Sequence, residues 1–295
     1  MKGLQSLRQR YIEMSFRNRV TLRDAMKGII EEPLLPLVPK RFDYIGDIAV
    51  ISIPAELGAY REAIVLKILS MRGNTRAVLN KVSKLEGERR VAHFELLSGE
   101  SAETFHRENG YTYRMDVRKV FFNPRLYWER ARVASKVLPG ESILVPFAGV
   151  GPFVLPSAGK GAMVSAIEIN PDACVCLKEN LRLNKLEGKV TVIQGDAEFI
   201  LCHSGSLKNE GLHVPENGFD RAIIPTPYGL DYFLEEVSDF IKKGGYIHFY
   251  TFKTESQIPE LIEEYKKLGL EVEFYRRAGN VAPGVSRWVF DLIKK

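Results

Sequence analysis

Two glycines set between apolar runs, with an acid closing the second run, can hold a nucleoside against bare backbone. Residues 141–170 (ESILVPFAGVGPFVLPSAGKGAMVSAIEIN) have that order. Ile143, Leu144 and Val145 form a short apolar strand that enters the turn Phe147-Ala148-Gly149-Val150-Gly151. Glycine permits a tight backbone there and leaves no side chain between main chain and ligand. A second apolar strand over 164–169 carries Glu168 near its end, and Asn170-Pro171 closes it. Ligands of a parallel sheet lie beyond the carboxyl ends of its strands. The turn and Glu168 are therefore expected to face one pocket.

The spacing separates two cofactors. A dinucleotide fold wants GxGxxG and a helix N-terminus that receives a pyrophosphate. Here the third glycine is missing and Pro152 stands in the turn. A nucleoside without phosphates fits better, with Glu168 taking both ribose hydroxyls, which is the layout of S-adenosylmethionine enzymes. An ordinary strand-to-helix turn, with an acid capping the next helix, fits the same residues.

The elements that must position these residues follow from the rest of the chain. Its 295 residues are 45% hydrophobic and 27% charged, enough for a sizeable core and against global disorder. The net charge of +5 and pI near 8.9 permit an anionic partner without proving one. Cys174, Cys176 and Cys202 contain no CxxC pair, so neither a disulfide framework nor a metal site is expected. No apolar run reaches membrane-spanning length and the N-terminus lacks a signal-peptide core, so a cytoplasmic protein without membrane association is expected.

Residues 1–40 read as a basic helical arm, with Arg8, Arg10, Arg17, Arg19 and Arg23, and then a three-proline extended linker over 31–40. The arm suits either RNA or packing on the next domain. Residues 41–119 read as a small α+β unit with strands over 48–53, 77–82, 90–97 and 111–116 and a helix over 54–70. His93 and His106 have no metal-ligand partner at useful spacing there. From 120 to 295 strands alternate with helices, which argues a doubly wound α/β sheet. An amphipathic helix after Asn123-Pro124 is expected to bury Trp128, Ala131 and Val137. Arg125, Glu129, Arg130 and Arg132 form a charged cluster along it, which an i,i+4 salt-bridged surface would also explain. Strands are expected over 190–194, 219–224 and 245–252, helices over 171–184, 232–242 and 258–268, a loop over 203–218, and a closing strand pair over 271–276 and 288–293. Asp196, after the third strand, can accept from an adenine amino group or cap a helix. Pro225-Thr226-Pro227-Tyr228 ends the fourth strand, where it can present carbonyls and the Tyr228 ring to a flat base or simply stop the strand.

Taken in order, FDYIGDIAVISIP, VSKLEGERRV, VFFNPRLYWERARVA, FAGVGPF, AIEINPDACVCLKENLRLNKLE, GDAEF, GGYIHFYTF and APGVSRWVFDL resemble the archaeal and eukaryotic tRNA (guanine-37-N1)-methyltransferases and their relatives in wyosine synthesis. The resemblance covers most of the chain from Phe42 onward. It implies an α/β fold: a C-terminal Rossmann-like class I S-adenosylmethionine methyltransferase domain preceded by a small α+β RNA-binding domain. It also implies tRNA, at its anticodon stem-loop, as the partner of a monomer. Arg90 falls where the family keeps an arginine that steadies the target guanine, and Glu129 where methylating members keep a carboxylate that takes the N1 proton. The turn from Phe147 to Gly151, Glu168 with Ile169, Asp196 with Ala197, and Pro225 fall at the cofactor. Arg125, Arg130, Pro227 and Tyr228 fall on the substrate side.

Three departures bear on the activity. Val145 replaces an aspartate, removing a polar contact from the methionine side of the cofactor. Pro225-Thr226-Pro227 replaces Asn-Leu-Pro, so the asparagine that grips guanine is absent. The N-terminal part is short and unlike the extra domain with which many guanine-37 methyltransferases inspect the tRNA elbow. The relative that transfers aminocarboxypropyl from the same cofactor replaces the glutamate in NPRLYWER, so Glu129 favours methyl transfer. Loss of the asparagine leaves two acceptors, guanine N1 and carbon 7 of demethylwyosine.

Overall fold

The structure is a computed structural model, and it describes residues 20–83, 92–202 and 211–295. These divide into two compact units: residues 20–83 with 92–102, and 103–202 with 211–295. The expected boundaries at 40 and 119 are thereby corrected. Residues 22–38 belong to the core of the first unit. The hairpin formed by β5 (Glu103–Glu108) and β6 (Tyr111–Asp116) belongs to the second.

The first unit opens with a single helical turn, α1 (Leu22–Ala25), and a 3-10 turn over Leu35–Leu37. The expected long helical arm reduces to α1 among the described residues, and Arg8, Arg10, Arg17 and Arg19 lie outside them. The proline segment is not an extended linker. Leu35 and Val38 are buried, and Arg23 donates from Nε (3.0 Å) and Nη2 (2.8 Å) to the Val38 carbonyl. Proline cannot donate to a ladder, so this segment is tied down by its carbonyls and apolar side chains. Strands β1 (Asp43–Ile45), β2 (Ile48–Ile51), β3 (Ala77–Lys81) and β4 (Phe94–Ser98) form a sheet in sequence order. Between β2 and β3, the segment expected as one helix is a 3-10 turn over Ala55–Tyr60 and then α2 (Arg61–Met71), whose Ile64 and Ile68 join the core.

The second unit holds the pocket-forming sheet. After β5 and β6 come α3 (Tyr127–Ser135), β7 (Ser142–Pro146), α4 (Val154–Gly159), β8 (Met163–Glu168), α5 (Pro171–Leu183) and β9 (Val190–Gln194). The chain continues through α6 (Ala197–Cys202), β10 (Phe219–Ile224), α7 (Phe233–Ser238), β11 (Ile241–Lys253), α8 (Ile258–Lys267), β12 (Leu270–Ala282) and β13 (Val285–Lys294). The sheet order is β12-β13-β11-β10-β7-β8-β9. Strands β11, β10, β7, β8 and β9 pair in parallel, and β13 is antiparallel to both β11 and β12. This is the doubly wound α/β sheet that the strand–helix alternation implied, and it agrees with the Rossmann-like domain that the resemblance implied. The helix expected over 232–242 stops at Ser238, because Ile241 pairs with Phe219 and turns the next residues into strand. The closing pair is also longer than its apolar core, since the hairpin pairing continues out to Ala282 and Val285.

The β5–β6 hairpin joins the second unit by hydrogen bonds to α5. Asn184 Oδ1 accepts from Thr112 N (2.9 Å) and Asn180 Oδ1 from Arg114 N (2.7 Å). Glu108, on β5, and Arg130, on α3, form a fully buried ion pair. Arg130 Nη2 donates to Glu108 Oε2 (2.5 Å), Nε donates to Oε1, Nη1 donates to Asn123 O (3.0 Å), and the guanidinium lies over the Phe122 ring. Arg130, expected to touch substrate, is therefore a structural residue with no surface to offer. The expected apolar side holds in part: Val137 is buried and Ala131 half-buried, but Trp128 is 75% exposed while Glu129 and Arg130 are buried. Paired buried charges, together with buried Val133 and Ala134, hold α3.

Burial opposes ionisation of Glu108, but hydrogen bonds and charge from His106 and Arg130 outweigh it, so its carboxyl lies below the usual range. Its stabilisation is present above the ordinary carboxylate value and is lost as pH falls through the depressed one. Glu108→Ala leaves Arg130 unpaired and is expected to cost about 3–5 kcal/mol. Urea unfolding at neutral pH checks this, and the difference from the unsubstituted protein shrinks on acidification.

Candidate active site

At the carboxyl end of β7, three residues adopt left-handed backbone: Phe147 (φ 60°), Gly149 (φ 56°) and Gly151 (φ 93°). The non-glycine Phe147 carries a conformational cost of about 1–2 kcal/mol. Its ring packs 4.8 Å from that of Phe233, and Ala148 N donates to Ile167 O (2.9 Å), so both sides of the turn are anchored. The two glycines serve different ends. A Cβ on Gly151 would stand 2.5 Å from Leu155 and Leu177, so its absence lets α4 and α5 close on the sheet. A Cβ on Gly149 would meet only the Phe121 carbonyl at 4.0 Å, so Gly149 opens onto free space. Ala148 and Val150 are buried, and this part of the turn offers a ligand main chain.

Glu168 ends β8 beside that opening. Its Oε2 accepts from Gly149 N (2.7 Å) and its Oε1 from Asn170 N (2.8 Å), while its carbonyl accepts from Gly195 N at the end of β9. Through its carboxylate and its carbonyl, Glu168 thus joins the ends of three strands and spans the turn. Burial pushes its proton affinity up, and the N–H groups of Asn170, Gly149 and Ile169 pull against that. Three N–H groups on about four lone-pair positions leave the carboxylate acceptor capacity, which suits a ribose hydroxyl. Asp196 is exposed and accepts from Glu198 N (2.9 Å) through Oδ1, so it caps α6. Helix α6, absent from the expectations, begins at buried Ala197. Ile169 is half-buried. The free space at Gly149 and the unfilled acceptor capacity of Glu168 fit a nucleoside cofactor.

Half-buried Pro225 ends β10 in a tight turn in which Thr226 N donates to Ile224 O (2.8 Å). Pro227 follows, its carbonyl accepting from Leu230 N, and the exposed Tyr228 ring lies 5.4 Å from that of Phe252. Arg125 is exposed in the 3-10 turn just before α3, its N–H held by Asn123 Oδ1. Arg90 lies outside the described residues.

Glu129 is linked to the turn through two rings. Tyr250, on β11, donates to Glu129 Oε1 (3.1 Å), and its ring packs 5.4 Å from Phe153, just past the turn. Oε1 also accepts from Arg132 Nε (2.9 Å) and Nη2 (2.6 Å), and Oε2 from Arg276 Nε (3.0 Å) and Nη2. Burial raises the Glu129 proton affinity, but Arg132 and then Arg276 outweigh it and hold the carboxyl below the usual range. Arg132 continues to Asp291 (2.5 and 3.0 Å), which also takes Lys136 (2.8 Å) and His248 Nδ1 (2.6 Å). Arginine only donates, so the bond from Arg221 to His248 Nε2 (2.8 Å) leaves Nδ1 carrying the proton. Burial keeps that imidazole neutral.

Of this network, sequence reasoning singled out Glu129 and placed Arg132 in a charged cluster, but it missed Tyr250, Arg276, His248 and Asp291. A signal was present. His248 and Asp291 interrupt the apolar runs IHFYTF and VFDLI, and they face each other in the β11–β13 register.

Residues 104–274 match the model of the TRM5/TYW2 methyltransferase domain, and residues 22–102 that of the TYW2 N-terminal domain. The chain belongs to the TRM5/TYW2 family. It is 38% identical over 250 residues to the tRNA (guanine(37)-N(1))-methyltransferase Trm5b of Pyrococcus abyssi, covering 83% of this chain and 71% of the relative. It is 32% identical over 279 residues to the tRNA(Phe) (4-demethylwyosine(37)-C(7)) aminocarboxypropyltransferase of Pyrococcus horikoshii, covering 92% of this chain and 95% of the relative. Among solved structures, it resembles aTrm5 in complex with tRNALeu (TM-score 0.81, 30% identity, 93% of this chain and 78% of that one). It also resembles P. horikoshii TYW2 in complex with MeSAdo (TM-score 0.70, 29% identity, 92% and 97%). The family uses S-adenosylmethionine, and the Gly149–Glu168 opening suits that cofactor.

Gly149→Ala is expected to fold, at a cost of about 1–2 kcal/mol for its backbone, and to lose S-adenosylmethionine binding because its methyl enters the opening. Gly151→Ala is expected to lower the melting temperature more, since it clashes with Leu155 and Leu177. Calorimetric titration with the cofactor and thermal unfolding check the pair. Glu168→Ala, which loses a charged acceptor, weakens binding by about tenfold or more.

Proposed function

We propose that this protein transfers a group from S-adenosylmethionine to the purine at position 37 of tRNA, with methyl transfer to guanine N1 as the first reading. The observation that carries it is the buried carboxylate of Glu129, joined through Tyr250 and Phe153 to the turn that suits the cofactor. The bound cofactor supplies an electrophilic sulfonium carbon. The chain must align the acceptor in line with it and remove a proton. Glu129 is the proton acceptor in this reading. Arg90, assigned by its position in GERR, offsets charge building on the purine oxygen. Tyr228 stacks on a base drawn out of the anticodon loop. Arg125 and other surface cations hold phosphates, which makes binding salt-sensitive.

A second reading has specific support. Residues 22–102 match the TYW2 N-terminal domain, and the rigid Pro225-Thr226-Pro227 turn offers no asparagine to guanine. In that reading the acceptor is carbon 7 of demethylwyosine, and the group transferred is methyl or aminocarboxypropyl.

Labelled cofactor with tRNA transcripts bearing G37 or A37 tests the first reading, and mass spectrometry of the product nucleoside separates methyl from aminocarboxypropyl. Transfer to G37 alone, slowed about 10²–10⁴-fold by Glu129→Gln, is the expected outcome. Equal labelling of both transcripts would count against position 37 as the target. Transfer confined to tRNA already carrying demethylwyosine would select the second reading.

A further inference from the structure

A carboxylate has about four lone-pair positions on its two oxygens, and Glu129 has none left over. Oε1 accepts from Arg132 Nε, Arg132 Nη2 and the Tyr250 hydroxyl, and Oε2 accepts from Arg276 Nε and Nη2. A general base must come within about 2.6–3.2 Å of the proton it takes. In this arrangement every approach to Glu129 is already filled by a donor. If Glu129 takes the N1 proton, one of its three partners must leave first.

The partners are not equally free to go. Tyr250 is buried, and its ring is packed against Phe153. The Arg132 side chain is 19% exposed and divides its guanidinium between Glu129 and both oxygens of buried Asp291. Removing it would take an arginine from two buried carboxylates at once, which is costly. Arg276 differs on each count. Its side chain is 42% exposed, its hydrogen bonds go to Glu129, and it sits on β12, the edge strand of the sheet. Water can solvate its guanidinium as it leaves.

We infer that Arg276 is a positioning residue that holds Glu129 in the free enzyme and swings off Oε2 when the target purine arrives. This rests on Glu129 being the proton acceptor of the proposed reaction. Departure has two effects of the same sign. It clears Oε2 for the purine N1–H, and it removes one of the two cations that depress the proton affinity of Glu129. The charged and titratable groups around Glu129 are then Arg132 on α3, Lys136 just after it, Tyr250 and neutral His248 on β11, Glu273 on β12, and Asp291 on β13. Arg132 stays to keep the carboxylate oriented. As N1 bonds to the methyl carbon its proton passes to Glu129 Oε2, and the electron pair of the breaking carbon–sulfur bond stays on sulfur as a neutral thioether.

The test compares unsubstituted protein, Arg276→Gln and Arg276→Lys in single-turnover transfer to G37 tRNA across pH. Rates at subsaturating tRNA report the free enzyme, and rates at saturating tRNA report the complex. In the free enzyme Arg276→Gln is expected to move the acid limb to higher pH, because a lost cation raises the affinity of Glu129 for a proton. At saturation the limb stays where the unsubstituted protein has it, because Arg276 has already left, and Arg276→Lys restores the free-enzyme limb in part. Equal movement of both limbs would show that Arg276 stays on Glu129 throughout, and no movement of either would show that it does not govern Glu129. Each result overturns the inference. Carbon-13 NMR titration of the Glu129 carboxyl gives a readout without turnover. An anticodon stem-loop bearing G37 is expected to raise its proton affinity in the unsubstituted protein and to add nothing in Arg276→Gln. Absence of that rise in the unsubstituted protein would overturn the inference. Failure of the unsubstituted protein to label any tRNA would instead overturn the proposed function. Arg276→Ala serves in the lost-cation arms if Arg276→Gln does not fold.

Discussion

Arg132 stands between two buried carboxylates, Glu129 and Asp291, and much of the second unit is arranged so that neither is left alone. Charges taken out of water are tolerated only when paired and hydrogen-bonded. That condition draws α3, β11, β12 and β13 to one place. Asp291 brings His248 and, behind it, Arg221 with its partner Glu141 (2.8 Å), which lies just before β7. Glu129 brings Tyr250, and Tyr250 brings Phe153. The chain of contacts ends at the cofactor turn. The network that satisfies buried charge is therefore also the frame that relates Glu129 to Phe147–Gly151.

The cofactor end is held by different means. There the backbone does most of the work, through Ala148 N on Ile167 O, Gly149 N on Glu168 Oε2 and Gly195 N on Glu168 O. These bonds tie the carboxyl ends of β7, β8 and β9 into one rim. A rim built from main chain tolerates changes in the neighbouring side chains, which accommodates Val145 and Pro225 where the resembling family keeps polar residues. Such changes act on what is presented to the transferred group and to the base, not on whether a nucleoside fits.

The parts legible in the sequence were those written in local periodicity. The 190–194 and 219–224 strands, the glycine turn and the acid at Glu168 depend on runs of apolar residues and on glycine, and these signals are short-range. What escaped depended on distant partners. Arg130 looked like a substrate cation because Glu108, 22 residues away, could not be known to meet it. Trp128 looked like core because it falls on the apolar side of an amphipathic pattern, yet it is exposed while Glu129 and Arg130 are buried. The proline segment looked extended because Arg23 could not be seen to bind the Val38 carbonyl. Arg276 left no local mark, since its role lies in a contact 147 residues away in sequence.

The account stands on one spatial relation: a cofactor sugar on Glu168 and a purine edge on Glu129 within the same pocket. A crystal structure with S-adenosylhomocysteine and an anticodon stem-loop bearing G37 measures it directly. The account predicts the ribose diol on Glu168, the adenosine across Gly149, and guanine N1 within hydrogen-bond distance of Glu129. A guanine edge turned toward another carboxylate, or a nucleoside bound away from Gly149, would contradict it.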